Sequence, residues 1–183
     1  MIFELKINEK LSLKERQTED AQELFDLVDK NRERLRVYMP WIDSTLSVKD
    51  TEEYILKNIE KHKEVGNVYD FGICYENKWI GNMGYHDVSK SNQKACIGYW
   101  LDEDFEGRGI MTECVKALIK YGFKELNLNR VEIGCDVNNS KSRAIPERLG
   151  FKLEGTLRQD HKRNGTFRDS FVFGLLKEEW MNN

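Results

Sequence analysis

Between residues 94 and 126 the chain changes its hydrophobic period once, and it does so across two glycines. KACIGYWL (94–101) is an apolar, strand-like run. From about 110 to 126, Met111, Val115, Leu118 and Gly122 fall on one face of a helix. The connection is DEDFEGRG, so Gly107, Arg108 and Gly109 stand at the mouth of that helix behind an acidic cluster. A strand feeding a helix in this way fixes a β–loop–α unit, which needs a sheet to pack on.

A helix N-terminus carries unpaired N–H groups and a partial positive charge. Glycines before it let the backbone approach a ligand closely, so the segment reads as an anion site, above all for phosphate. It is not a P-loop, because no GK pair exists, and it is not GxGxxG, because Ile110, Met111 and Thr112 follow Gly109. Taken alone, the segment serves equally well as a turn and a helix cap with no ligand.

The rest of the chain supplies the sheet. LSLKER (11–16) alternates as a strand, and a helix starting at Thr18 carries Ala21, Leu24, Phe25 and Val28 on one side. RVYMPWID (36–43) breaks it. Ser47 and Asp50 form a capping-box pattern ahead of a second helix with Tyr54, Ile55 and Ile59. Strands are expected over 68–75 and 79–86, joined as a hairpin through ENK, then over 94–101 and 131–137. A short helix over 140–149 ends at Gly150, and strands over 151–157 and 167–176 close the chain. This is a mixed sheet of the α/β class with helices on its faces.

Composition excludes several classes. Hydrophobic residues make up 39% and charged residues 33%, which is globular material. No apolar run approaches the roughly 18 residues of a membrane span. MIFELKINEK has no apolar core of a signal peptide. The net charge of −3 argues against a nucleic-acid partner and suits a cationic substrate. The four cysteines sit about 20 residues apart in apolar patterns, without metal spacing, and are expected to be free thiols in a reducing cytoplasm. No metal is expected.

EGRGIMTE resembles the acyl-coenzyme A pyrophosphate loop of the GCN5-related N-acetyltransferases, Q/R-x-x-G-x-G/A. Glu106 stands at the Q/R position, Gly109 at the glycine and Met111 at the last small residue, so two of three positions depart from the pattern. NNSKSRAIPERLGF (138–151) resembles the family's N-x-x-[AS]-x-x-x-Y-E-K-x-G-F through Asn139, Ser142, Glu147, Gly150 and Phe151. Two motifs, each on the right strand–helix junction, are more specific than either alone. The resemblance spans one domain, 11–178, and the tail from LEGTLRQD onward looks most like the ribosomal-protein N-terminal acetyltransferase branch (RimJ/RimL type).

The resemblance implies a mostly antiparallel sheet with a splay between two parallel strands, and acetyl-coenzyme A as the acetyl donor. Backbone groups near Trp100 and Leu101 would meet the pantetheine and the thioester oxygen. The N–H groups of Gly107, Arg108, Gly109, Ile110, Met111 and Thr112 would hold the pyrophosphate, with Arg108 adding charge. Asn139 would bond the pantetheine. The tyrosine that protonates the leaving thiolate in many members is replaced by Pro146, which leaves Ser142 as the nearest donor. For the base, His161 stands where the ribosomal branch has a glutamate; Asp160 and water are the alternatives, and RQDHKRNG would otherwise be a solvated loop. The acceptor is expected to be a protein N-terminus, with a small amine (a polyamine or aminoglycoside) as the variant. A non-catalytic acyl-coenzyme A binding module is the reading from another class. His62 and His86 are expected to be structural or exposed. Tyr38, Trp41 and Tyr85 either line a groove or pack, and the aromatics near 38–41 would suit a homo-oligomer.

Overall fold

The computed structural model describes residues 2–163 and 165–182. Its strands are β1 (Glu4–Lys6), β2 (Leu11–Lys14), β3 (Asp70–Tyr75), β4 (Lys78–Ser89), β5 (Lys94–Leu101), β6 (Arg130–Asp136), β7 (Lys152–Arg163) and β8 (Thr166–Leu176). They form one sheet in the order β1-β2-β3-β4-β5-β6-β8-β7. β5 and β6 are parallel, paired from Lys94↔Arg130 to Cys96↔Glu132; β5 then runs on to Leu101 and β6 to Asp136. β1–β2, β2–β3, β3–β4, β6–β8 and β7–β8 are antiparallel. Contacts divide the chain into two compact units, 1–84 with 99–110 and 85–98 with 111–183.

In the first unit, a 3-10 turn at Thr18–Asp20 opens α1 (Ala21–Lys30), followed by α2 (Arg32–Arg36) and α3 (Val48–Val65). Two signals bound α3. Ser47 Oγ accepts from the Asp50 N–H while Asp50 Oδ2 accepts from the Ser47 N–H, and Gly66 ends the helix at φ 73. Ala21, Leu24, Leu27 and Val28 of α1 are buried with Leu35, Ile42, Ile55 and Trp100. Trp41 is partly buried and packs against this cluster, its ring centroid 6.3 Å from that of Trp100. Each fully buried side chain of this kind contributes about 1.5–3 kcal/mol. The β3–β4 turn is Glu76-Asn77, at φ 47 and φ 63, the left-handed pair that a two-residue hairpin requires.

The second unit is built on α4 (Ile110–Lys124), which has its first residue in the first unit. Cys114, Val115, Leu118 and Ile119 are completely buried. Tyr85 is buried too, and its hydroxyl donates to the Leu118 carbonyl at 2.7 Å. Gly122 makes room for it: a Cβ there would collide with Tyr85 Oη. α5 (Ser140–Arg148) and α6 (Lys177–Met181) complete this unit.

The elements match the sequence pattern with five differences, the first being α6 after the last expected strand. β1 is a three-residue edge strand, too short for a periodic signal. α2 is a separate short helix that ends at Arg36, where the breaking stretch begins. β4 continues to Ser89. β7 continues to Arg163, so RQDHKR is a strand in which Arg158, Gln159, Asp160 and Lys162 are exposed; Asn164 lies outside the described residues. No helix among the described residues is long and apolar enough to cross a membrane.

Candidate active site

The connection between β5 and α4 is shaped by its two glycines. Gly107 has φ 73 and Gly109 φ 77, a region that side-chain-bearing residues rarely occupy. A Cβ on either would meet nothing within 4 Å, so the backbone here borders open space at the first turn of α4. Arg108 turns back on its own loop. Its guanidinium lies 5.0 Å over the Phe105 ring and donates to the Asp104 carbonyl at 2.5 Å.

Asp102, Asp104 and Glu106 of the acidic cluster ahead of the glycines are paired from the segment 30–34. Lys30 Nζ donates to Asp102 Oδ2 at 2.8 Å and to Asp104 Oδ2 at 2.5 Å. Asn31 donates to Asp102 Oδ1 and accepts from the Glu103 N–H. Burial works to raise the Asp102 carboxyl, but the Lys30 and Asn31 hydrogen bonds outweigh it and hold the group below its ordinary value. Arg34 donates to Glu106 Oε1 at 2.7 Å, to the Leu101 carbonyl at 2.5 Å and to Asn31 Oδ1 at 2.9 Å. Glu106, the departure from Q/R in the loop motif, is therefore paired with a guanidinium. Sequence reasoning missed Arg34, because it stands 72 residues from Glu106 with no local signal.

Trp100, Leu101, Ile110 and Met111 are buried, so their side chains are spent on packing and only their backbone can face a ligand. The Leu101 carbonyl already accepts from Arg34.

At the head of α5, Asn139 is the N-cap, and its Oδ1 accepts from the Ser142 N–H at 3.1 Å. This cap brings the two residues together. Pro146 lies inside α5, buried, and has no N–H for the Ser142 carbonyl. Gly150 follows the helix at φ 78. Arg148, from the last turn of α5, donates to Thr112 Oγ1 at 2.8 Å and fixes the first turn of α4.

His161 is reached through an irregularity in β7. The register runs Leu157↔Ser170 and then His161↔Arg168, so three residues of β7 face Asp169 alone. Gln159 takes φ 53 there, and its N–H donates to Asp169 Oδ1 at 2.8 Å. Such a bulge re-aims side chains. His161 Nε2 comes to 3.2 Å from Asp136 Oδ2 and Nδ1 to 3.1 Å from Ser170 Oγ. Asp160, the other candidate base, is exposed on the bulge, with its Oδ2 3.9 Å from His161 Nδ1.

The remaining candidates have ordinary places. His62 pairs with Glu15 at 2.6 Å and His86 with Asp87 at 2.8 Å. The cysteines are free. Burial pushes the Cys96 and Cys114 thiols up to about 12 and Cys135 up to about 11, so none is a ready nucleophile at neutral pH. His86, Asp87 and Cys96 bring ligand atoms within 4.8 Å of one another on β4 and β5, a grouping that could hold a cation but that residue spacing does not reveal.

Residues 10–152 match the family described as the acetyltransferase (GNAT) domain. The chain is 36% identical over 179 residues to the putative ribosomal N-acetyltransferase YdaF of Bacillus subtilis (strain 168), covering 98% of each. It is 32% identical over 172 residues to the ribosomal-protein-serine acetyltransferase of Escherichia coli (strain K12), covering 94% of this chain and 96% of that one. Among solved structures, the ribosomal alpha-N-protein acetyltransferase RimL in complex with coenzyme A superposes with a TM-score of 0.90 at 28% identity, covering 97% of this chain and 99% of that one.

Proposed function

Because the chain belongs to the acetyltransferase (GNAT) family and is an N-acetyltransferase, we propose that it moves the acetyl group of acetyl-coenzyme A to the α-amine of a protein N-terminus, with ribosomal proteins as the acceptor class. The observation that carries the donor is the loop at the head of α4. Its two left-handed glycines border open space, where N–H groups and the helix dipole favour a phosphate. The acceptor rests on the names of the relatives, which align over nearly the whole chain.

In this reading the N–H groups of Gly107 through Thr112 receive the pyrophosphate. The Arg34–Glu106 pair removes the repulsion that a bare carboxylate would add. Backbone groups of Trp100 and Leu101 meet the pantetheine amides and the thioester oxygen, whose charge grows in the transition state. Asn139 bonds the pantetheine with its amide. Ser142 protonates the departing thiolate, and His161 takes the proton of the attacking amine. The amine attacks the thioester directly, with no covalent enzyme intermediate.

The test is thiol release from acetyl-coenzyme A with Ser- and Ala-starting peptides, polyamines and aminoglycosides as acceptors. Peptides with a free α-amine are expected to turn over fastest, and N-terminally blocked peptides not at all. Faster turnover of a polyamine or aminoglycoside would replace the acceptor assignment and leave the donor assignment standing.

A further inference from the structure

The bulge in β7 gives His161 a surrounding that no sequence motif marks. Asp136 of β6 pairs with Ser170 of β8, and Arg168 of β8 pairs with His161. Paired residues point to one face, as do residues two apart on a strand, so all four side chains share a face of the sheet. Without the two extra residues of the bulge, Arg168 would face Gln159, and His161 would lie beyond reach of Ser170.

The protonation states follow from the contacts. The Asp136 side chain is only 3% exposed. Burial works to raise its carboxyl, but the Asn138 N–H at 2.8 Å and the Arg168 guanidinium at 3.5 Å outweigh it, and the group sits below its ordinary value. Asp136 is therefore ionised and can only accept hydrogen bonds. The nitrogen facing it, Nε2, must carry the proton of a neutral His161. Nδ1 is left with the lone pair, and it accepts from the Ser170 hydroxyl at 3.1 Å. The charged and titratable groups around the ring are thus Asp136, Arg168 beyond it, and the exposed Asp160 at 3.9 Å.

We propose that Asp136 is a positioning residue and Ser170 a catalytic residue for the acetyl-transfer reaction: Asp136 locks His161 in the Nε2–H tautomer, and the Ser170 hydroxyl delivers the amine's proton to Nδ1. This rests on the assignment of His161 as the base. In the step itself an N–H bond of the substrate ammonium breaks as an O–H bond forms on Ser170. The original Ser170 proton passes to Nδ1. The amine is left neutral, the serine unchanged, and the imidazolium lies against the Asp136 carboxylate. The proton leaves to solvent after acetyl transfer.

The tautomer is directly measurable. Nitrogen-15 NMR of the histidine rings in the intact protein at neutral or higher pH should show His161 protonated at Nε2, and protonation at Nδ1 would overturn the lock. Kinetics tests the relay with Asp136→Asn, Ser170→Ala and His161→Gln on an N-terminal peptide acceptor. Each is expected to lower kcat by about tenfold at pH 7, where only about a tenth of such an α-amine is neutral, with KM for acetyl-coenzyme A within twofold. The deficit should shrink toward pH 9, where the free α-amine, with an ordinary pKa of about 7.7–8.0, is already neutral. A structural defect would persist at every pH. If His161→Gln falls while Ser170→Ala and Asp136→Asn stay at wild-type rate, the relay is wrong and the base stands. If His161→Gln is fully active, the base assignment itself fails and takes the relay with it.

Discussion

The heads of α4 and α5 are both helix N-termini at strand–helix junctions, and they are finished in opposite ways. At α4 the side chains withdraw. Arg108 folds onto Phe105, Glu106 is held by Arg34, and the two glycines have nothing to place. At α5 a side chain moves in: Asn139 caps the helix by accepting from the Ser142 N–H. A helix mouth left to its backbone is a place for an anion. One finished by its own cap presents side chains instead. The first should thus be sensitive to anything that fills or charges the loop, and the second to the identity of single functional groups.

The largest effect is expected at Gly109. Gly109→Val puts a β-branched residue at φ 77 and fills the space before the helix. Acetyl-coenzyme A binding should fall below calorimetric detection while the thermal transition stays cooperative. Near-wild-type affinity in a folded variant would make α4 an ordinary helix start, and the contrast between the two heads would vanish.

Ser142 comes next. If it protonates the thiolate, its hydroxyl acts only in the transition state, so Ser142→Ala should lower kcat and kcat/KM together by about 10²-fold with acetyl-coenzyme A affinity unchanged. A loss under about threefold, the scale of one neutral hydrogen bond, would leave Ser142 as a residue of the cap alone.

Arg34 tests the loop from behind. Arg34→Ala leaves Glu106 without its partner beside the pyrophosphate, and KM for acetyl-coenzyme A should rise about tenfold, the scale of a hydrogen bond between charged groups. Adding Glu106→Gln should restore most of it. If the double variant is as weak as the single one, Arg34 acts by holding the Leu101 carbonyl and not by neutralising charge.

The smallest effect is expected at Asn139, where two roles can be separated. Asn139→Ala should raise KM for acetyl-coenzyme A roughly threefold to tenfold and cost about 1 kcal/mol of stability through the lost cap. Asn139→Ser keeps a capping oxygen. Its stability should return while KM stays high. Recovery of both would assign Asn139 to the cap alone.

How much of this was legible follows from where each signal lies. Gly107 and Gly109 announce a left-handed turn because glycine is the residue such a turn favours. Gly150 bounds α5 by a local rule of the same kind, whereas Asn139 stood out only through the family motif. The Arg34–Glu106 and Lys30–Asp102 pairs join residues 72 apart, and no periodicity encodes them. The surroundings of His161 depend on a slip of register made by Gln159, a residue with no marked preference for φ 53, so the sequence suggested a loop where a bulged strand runs. Trp41 stayed open between lining a groove and packing because its partner, Trp100, is distant in sequence.

The central claim is that the backbone N–H groups at the head of α4 hold the pyrophosphate of the donor. Amide chemical shifts of Gly107 to Thr112 can be followed while the protein is titrated with coenzyme A and, separately, with pantetheine, which has the same arm without the pyrophosphate. The account expects coenzyme A to move these amides strongly and pantetheine to leave them nearly in place. Equal shifts with both ligands, or no movement with coenzyme A bound, would contradict it.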